Sequence, residues 1–405
     1  MERRKFVTLG ATTLGMLPLM GFMPPVSKDG LPGKPSWLKS LVKINDEALP
    51  ALYAGQLTDG RSQWTGAVFD SNAIHSPQLT GNFIARAACA LSSSESVFYR
   101  SPALLERMEA AMQYLSGVQH EDGTIDLLST NFHSTPDTAF SVEKLLPSYK
   151  LLQRLPGKEL QPLLSAMKTY LQRAGQALIT GGLHTPNHRW VVSGALAKLH
   201  SVWPDTRYVK RAEEWLSEHI DLDADGQYTE KSVGGYSAII DRVLIGVAKD
   251  LNKPEILDFV RRNLDMTLFF IHPNGELVTD ASRRQDKGAV KTPDIYYYAY
   301  RYLALTDKKG EYAAMCRMIE NNYLPAVTDT LEAFLEDPFL WQALPDTRPL
   351  PVSYAKAFPG AGLARIRRGN RDATILADNP RWLTFHKGAA ALEGMRLAAS
   401  FFGKG

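Results

Sequence analysis

The segment TPNHRW at 185–190 puts an Asn-His pair at the start of a helix-like stretch, and DGQYTE at 225–230 leads into Tyr236 after two glycines. An amide, an imidazole and a phenol are the residue types needed to remove a proton next to a carboxylate and return one to a leaving oxygen. Each has an ordinary structural use as well. Asn187 is a favoured N-cap residue, His188 lies in a first turn where the helix dipole favours a neutral ring, and Tyr236 starts a helix that it could simply pack. Glu230 is either a substrate-positioning carboxylate or a solvated acid. Arg189 could grip a carboxylate in bidentate fashion or lie on the surface.

A second group sits in NFHSTPDTAFSVE at 131–143. Here His133 and Asp137 flank a proline that forces an irregular turn, and Asp137 is also well placed to cap the following helix. If Asp137 donates a proton instead, it and Glu230 form the carboxylate pair of a glycoside hydrolase. In DIYYYAYRY at 294–302 the tyrosines recur at helical spacing, so Tyr297 either stacks on sugar rings or packs in the core. The neighbouring SRRQDKG loop offers Arg283 and Arg284 to an anionic chain.

The elements that must hold these residues are mostly helices. SPALLERMEAAMQYLSGVQ, ELQPLLSAMKTYLQRAGQAL, TRYVKRAEEWLSEHI, SAIIDRVLIGVAKDL and PEILDFVRRNLDMTLFFI all repeat apolar residues at three-and-four spacing. HEDGTID, DADGQYTE and HPNGELVTD place Asp or Asn before a glycine directly after a helix, which suggests equally spaced helical hairpins arranged as a ring or solenoid. Beyond about residue 350, GAGLARIRRG, DATILADN and RWLTFHKG read as short strands. The predicted organisation is therefore an address segment at 1–30, a helical domain at 31–345, and the opening strands of a β domain at 346–405.

Composition narrows the function classes. With 405 residues, 44% of them hydrophobic, the chain can bury a large core. A net charge of +3 from 46 basic and 43 acidic residues argues against a nucleic-acid partner. Cys89 and Cys316 have no CxxC or His nearby and read as buried apolar residues. Arg3 and Arg4, followed by Phe6 and a weakly apolar run, have the layout of a twin-arginine export signal, which predicts a periplasmic protein with no membrane span in the mature chain.

Taken together, the hairpin texture, DGTIDLLSTNFHSTPDTAF, PNHRW, DGQYTEKSVGGYS and the GLARIRRG…FHKG tail resemble the heparinase II/III-like polysaccharide lyases and their alginate-lyase relatives. The resemblance implies a mainly α fold: an incomplete (α/α) toroid of helical hairpins followed by a β-sandwich, here apparently cut short. It implies β-elimination on an acidic polysaccharide or oligosaccharide. Asn187 would neutralise the uronate carboxylate, His188 or Tyr236 would act as base, and Tyr236 would protonate the glycosidic oxygen. Arg189, Glu230, His133, Asp137 and Tyr297 are the expected substrate contacts. Pro186 and Arg189 flank the Asn-His pair where alginate-active members tend to show Asn-Asn-His-Gly. No cofactor is expected for the chemistry, although by the same analogy His386 could help hold a zinc ion between toroid and strands. The alternatives are a uronosyl hydrolase on the same toroid and a non-catalytic glycan-binding relative.

Overall fold

Apolar residues at three-and-four spacing become two concentric layers of helices in the computed structural model, which describes residues 33–183, 185–377, 382–388 and 390–395. The inner layer consists of α2 (Pro77–Ser92), α4 (Thr135–Gln153), α6 (Pro186–Val202), α8 (Tyr236–Asp250) and α10 (Tyr297–Asp307). Around it lie α1 (Ser36–Ala54), α3 (Pro102–Val118), α5 (Gln161–Thr180), α7 (Thr206–Ser217), α9 (Leu257–Thr267) and α11 (Gly310–Asn322), with the short α12 (Leu331–Glu336) packed on α2 and α4. Each inner helix packs on the next, α2 on α4, α4 on α6, α6 on α8 and α8 on α10, which is the arrangement of an incomplete (α/α) toroid.

Burial explains which helices go inside. Helix α6 buries ten residues, including Trp190, Val191, Val192, Ala195 and Leu196, and so is apolar on nearly every side. Its outer neighbour α7 buries only Tyr208 and Ala212. Cys89 and Cys316 are free thiols buried in this core.

The three glycine motifs are one recurring turn. Gly123, Gly226 and Gly275 have φ of 88°, 91° and 91°, a left-handed conformation natural to glycine. In each turn an Asp or Asn side chain closes an Asx bend: Asp122 accepts from Thr124 N, Asp223 from Gln227 N and Asn274 from Glu276 N. A Cβ would come within 2.2 Å of the Arg173 carbonyl at Gly123 and 2.4 Å of the Arg262 carbonyl at Gly226, so these turns are pressed against an outer helix. Gly66, at φ 92°, is a further copy that sequence inspection missed because no Asp-Gly or Asn-Gly pair marks it.

Strands are not confined to the C-terminal part. The helix connections contain two small antiparallel hairpins, β1 (Val68–Phe69) with β2 (His75–Ser76) and β3 (Ile125–Leu127) with β4 (Asn131–Ser134). After the last helical turn at Pro338–Trp341, a five-stranded antiparallel meander follows: β5 (Ser353–Phe358), β6 (Leu363–Arg368), β7 (Arg371–Leu376), β8 (Leu383–Lys387) and β9 (Ala390–Met395). Its first two strands face the segment after α9: Arg365 of β6 donates to the carbonyl of Phe269, and the Tyr354 hydroxyl of β5 does the same. No helix among the described residues is long and apolar enough to cross a membrane. The twin-arginine-like segment lies outside the described residues.

Candidate active site

The inner helices all start at one end of the ring. Gln78 in the first turn of α2 reaches the Asp126 carbonyl and, at 3.5 Å, the Asp137 carboxylate of α4. Phe140 of α4 meets the edge of the His188 ring of α6, their centroids 6.3 Å apart. Tyr296, just before α10, donates to the Val233 carbonyl just before α8. A row of helix N-termini is thereby formed, and their partial positive charge suits an anionic ligand.

The best-defined cluster lies where α8 begins. Asp286 pins two loops together, accepting from the Ser232 hydroxyl and from Gly234 N, each at 2.8 Å. Ser232 in turn accepts from the backbone N–H of Tyr236. One of these loops ends at Tyr236 and the other carries Arg284, so the clamp brings them together. The Arg284 guanidinium lies over the Tyr236 ring, 4.8 Å from its centroid, with one amino group 3.5 Å from the hydroxyl. Its Nε is 3.4 Å from Glu230, whose carboxylate is buried. Tyr236 itself is half-buried, and its hydroxyl donates to Gln285 at 3.3 Å.

Charge and burial oppose each other here. Burial pushes the Glu230 carboxyl above the ordinary glutamate range, while Arg284 pulls it back. The bond to Tyr236, followed by the charge of Glu230, strengthens the hold of Arg284 on its proton. Neither Glu230 oxygen has a hydrogen-bond donor among the described residues, so the guanidinium is its main compensation.

The structure thus joins Glu230 and Tyr236 through Arg284, a partner that sequence inspection named only as part of a basic loop. Asn187 lies inside α6 rather than at its N-cap, which is Thr185. It is fully buried, accepts from the Thr185 hydroxyl at 3.0 Å, and leaves its Nδ2 without a partner. In this conformation solvent does not reach the amide. His188 is half-buried beside Phe140. Arg189 is engaged by Glu218 at 2.8 Å and by Asp221 at 3.8 Å. Asp221 also takes the Trp190 indole N–H and raises the Glu230 carboxyl slightly, which ties the α6 end to the α8 cluster.

The remaining predicted residues separate. His133, with φ 48°, holds Asp122 at 2.7 Å and stacks on His120, which itself contacts Asp126. Asp137 is occupied at the start of α4, where it exchanges hydrogen bonds with Ser134. Tyr297 corrects an expectation. It is fully buried, its hydroxyl donates to Glu320, and its ring packs on Trp37 and Phe334, so it cannot stack on a sugar. Helical spacing alone could not separate a rim stripe from this core stripe.

One group of metal-ligating type exists among the described residues. His272, Asp372 and His386 are buried, with one ligand atom from each lying within 4.8 Å of the others. Asp372 Oδ1 and His386 Nε2 are both buried without a hydrogen-bond partner, as expected of atoms that face an ion. His272 stacks on His386 and contacts Asp372 at 2.7 Å. Arg365 shares the same carboxylate, a cation in competition with any metal. Burial works against ionisation of Asp372, but His272 and Arg365 together hold its carboxyl below the usual range. Sequence inspection had singled out His386 but neither of the other two, which come from a turn after α9 and from β7.

Comparison with known proteins finds fold relatives. The chain superposes on a xanthan lyase of Paenibacillus with a TM-score of 0.61 at 14% identity, covering 87% of this chain and 36% of that one. Chondroitin AC lyase of Streptomyces coelicolor A3, in complex with chondroitin sulphate, gives 0.56 at 14% identity, over 86% and 50% of the two chains. Heparinase III gives 0.56 at 11% identity, over 91% and 59%. No family model matches the chain, and no curated protein matches it by sequence. The chain therefore has the toroid fold of these polysaccharide lyases and spans between about a third and three-fifths of their length.

Proposed function

We propose that this chain is a polysaccharide lyase that cleaves uronic-acid-containing glycans by β-elimination. The observation that carries the reading is the Tyr236–Arg284–Glu230 cluster at a helix start, on the end of the toroid where the inner helices begin. In this reaction the proton beside the uronate carboxylate leaves carbon 5, a carbon 4–carbon 5 double bond forms, and the glycosidic oxygen departs with a proton. Tyr236 takes the first proton and supplies the second. Arg284, over its ring and beside its oxygen, shares the negative charge that forms there. Glu230 fixes the guanidinium in place. Asn187 offers the spare Nδ2 donor to the uronate carboxylate once the Thr185 segment gives way, and His188 lies one residue further along as a second base.

His272, Asp372 and His386 fit a zinc ion, which when bound would clamp the sheet to the turn after α9. The twin-arginine-like start supports export to the periplasm. Incubating the chain with a panel of uronate glycans tests the main reading through the ultraviolet absorbance of the unsaturated product together with reducing ends. A lyase raises both signals. Reducing ends alone would mean a hydrolase, and neither signal a binding protein. Tyr236→Phe should lose about 10²–10³-fold in turnover and keep its fold, since its hydroxyl makes only the 3.3 and 3.5 Å contacts described.

A further inference from the structure

The inner helices also enclose a cavity at their other end, away from Tyr236. It has a volume of about 260 Å³ and lies between the C-terminal halves of α4, α6 and α8, with α12 along one side. Its walls are charged, and most of the charges are paired. Lys198 lies 3.2 Å from Glu143, Lys249 pairs with Asp337 and Lys150 with Glu336.

Two groups, and one oxygen of the paired Glu143, are left over. No ion pair or hydrogen bond reaches the Arg242 guanidinium among the described residues, and its Nε is buried. The Glu143 side chain is only 4% exposed, and its Oε1 has no partner. Asp250 has no hydrogen bond either, and burial pushes its carboxyl up against the pull of Lys198 and Lys249. Leaving a buried polar atom such as Glu143 Oε1 unpaired costs about 1–3 kcal/mol, so its retention needs a reason. A glycine makes room for the Lys198 ammonium at the cavity wall. A Cβ at Gly246, in the cavity wall, would meet Lys198 Nζ at 2.9 Å.

We infer that this cavity is a second ligand site, which takes a hydroxylated monocarboxylate of single-sugar size, such as a free hexuronate. The carboxylate lies on Arg242, whose planar fork matches it, and the hydroxyls meet Glu143, Asp250 and the Lys198 ammonium. Size limits the occupant, since drug-sized ligands need about 300–1,000 Å³. Charge limits it too: with five acidic residues in the lining, a phosphate dianion is disfavoured. Arg242 and Asp250 are two helical turns apart, about 12 Å along α8. The adjacent carboxylate and ammonium of an α-amino acid cannot bridge that distance, whereas a ring with hydroxyls around it reaches further across the cavity.

The test is isothermal titration of the full chain with glucuronate, glucose and alanine, with thermal unfolding of each variant as a check on folding. Glucuronate should bind to one site, glucose and alanine should not, and Tyr236→Phe should leave the binding intact while lowering lyase turnover about 10²–10³-fold. Arg242→Gln should weaken binding at least tenfold, about 1.4 kcal/mol. Ser201→Trp, a change at an exposed residue on the rim, should block entry without disturbing any charge. The inference is overturned if wild type shows no saturable glucuronate binding, if alanine binds as well, if both cavity variants bind normally, or if binding disappears with Tyr236→Phe. Failure of the lyase assay alone leaves these outcomes unaffected, so the two readings fail separately.

Discussion

Removing the Arg284 guanidinium tests both the chemistry and the electrostatics of the site. Glu230 has 7% of its side chain exposed and Arg284 28%, with 3.4 Å between them. Breaking a fully buried pair by deleting one partner costs about 3–5 kcal/mol, and the partial exposure of Arg284 brings the expectation for Arg284→Ala down to about 1–3 kcal/mol near neutral pH. The cost depends on pH. Burial has already raised the Glu230 carboxyl, so its contribution to stability is fully present below the unfolded glutamate value, about pH 4, and is lost as pH rises through the higher folded value. Without Arg284 the folded value rises further and the loss grows. Thermal unfolding should therefore show Arg284→Ala close to wild type near pH 4 and well below it near pH 8. Adding Glu230→Gln removes the stranded charge and should restore stability at the higher pH. It should not restore turnover, which Arg284→Ala lowers about 10²–10³-fold because the charge shared with Tyr236 is gone. Equal destabilisation at both pH values, or an active double variant, would refute this account.

Other positions separate folding from function. Gly226→Ala, at φ 91° with a Cβ 2.4 Å from the Arg262 carbonyl, should cost more than about 2 kcal/mol in chemical denaturation, while Gly182→Ala, with open space around it, should be near neutral. Asp372→Ala should lose about 3–5 kcal/mol, because Arg365, whose side chain is fully buried, keeps its charge without its carboxylate; a change below about 1 kcal/mol by the same measurement would contradict the ion pair. Ser134→Ala removes a hydroxyl that accepts from Asp137 N and should cost about 1 kcal/mol in helix stability. Thr185→Ala should cost less, because the Thr185 hydroxyl serves Asn187 rather than the helix, yet it should alter KM in the glycan assay.

Much of the toroid was legible because its signals are local. Helix periodicity marked α3, α5, α7 and α8 to within a few residues, and Asp-Gly or Asn-Gly after a helix marked three of the turns that stack the hairpins. What stayed hidden depends on contacts distant in sequence. Arg284 meets Tyr236 only because Asp286 bonds Ser232 and Gly234, 54 and 52 residues away. His272 and Asp372 are exactly 100 positions apart in the chain, and neither sits in a spacing that suggests a metal ligand. The Tyr296–Tyr300 stripe shows the reverse failure, a strong local pattern whose direction is set by neighbours. Trp37 and Phe334, far off in sequence, close over Tyr297 and make it core.

The helix starts differ in how their first N–H groups are satisfied. Serines cap α2, α3 and α4, and Asp205 caps α7, each accepting a first-turn N–H as an ordinary stabilising cap does. The two helices that carry the candidate chemistry lack this arrangement, as do α1, α5, α9, α10 and α11: Thr185 makes no cap bond to α6, and α8 starts from Gly235, which has no side chain to offer. Giving up a cap costs about 0.5–2 kcal/mol. At the two helix ends flanked by Arg189, Glu230 and Arg284, an incoming carboxylate can take the place of the missing acceptor. A toroid can sustain the loss because α6 and α8 bury ten residues each and are held by packing along their whole length. The shared fold thus supplies the rigidity, and the open helix ends are where an anionic ligand of the proposed kind would contribute the hydrogen bonds that the protein leaves unmade.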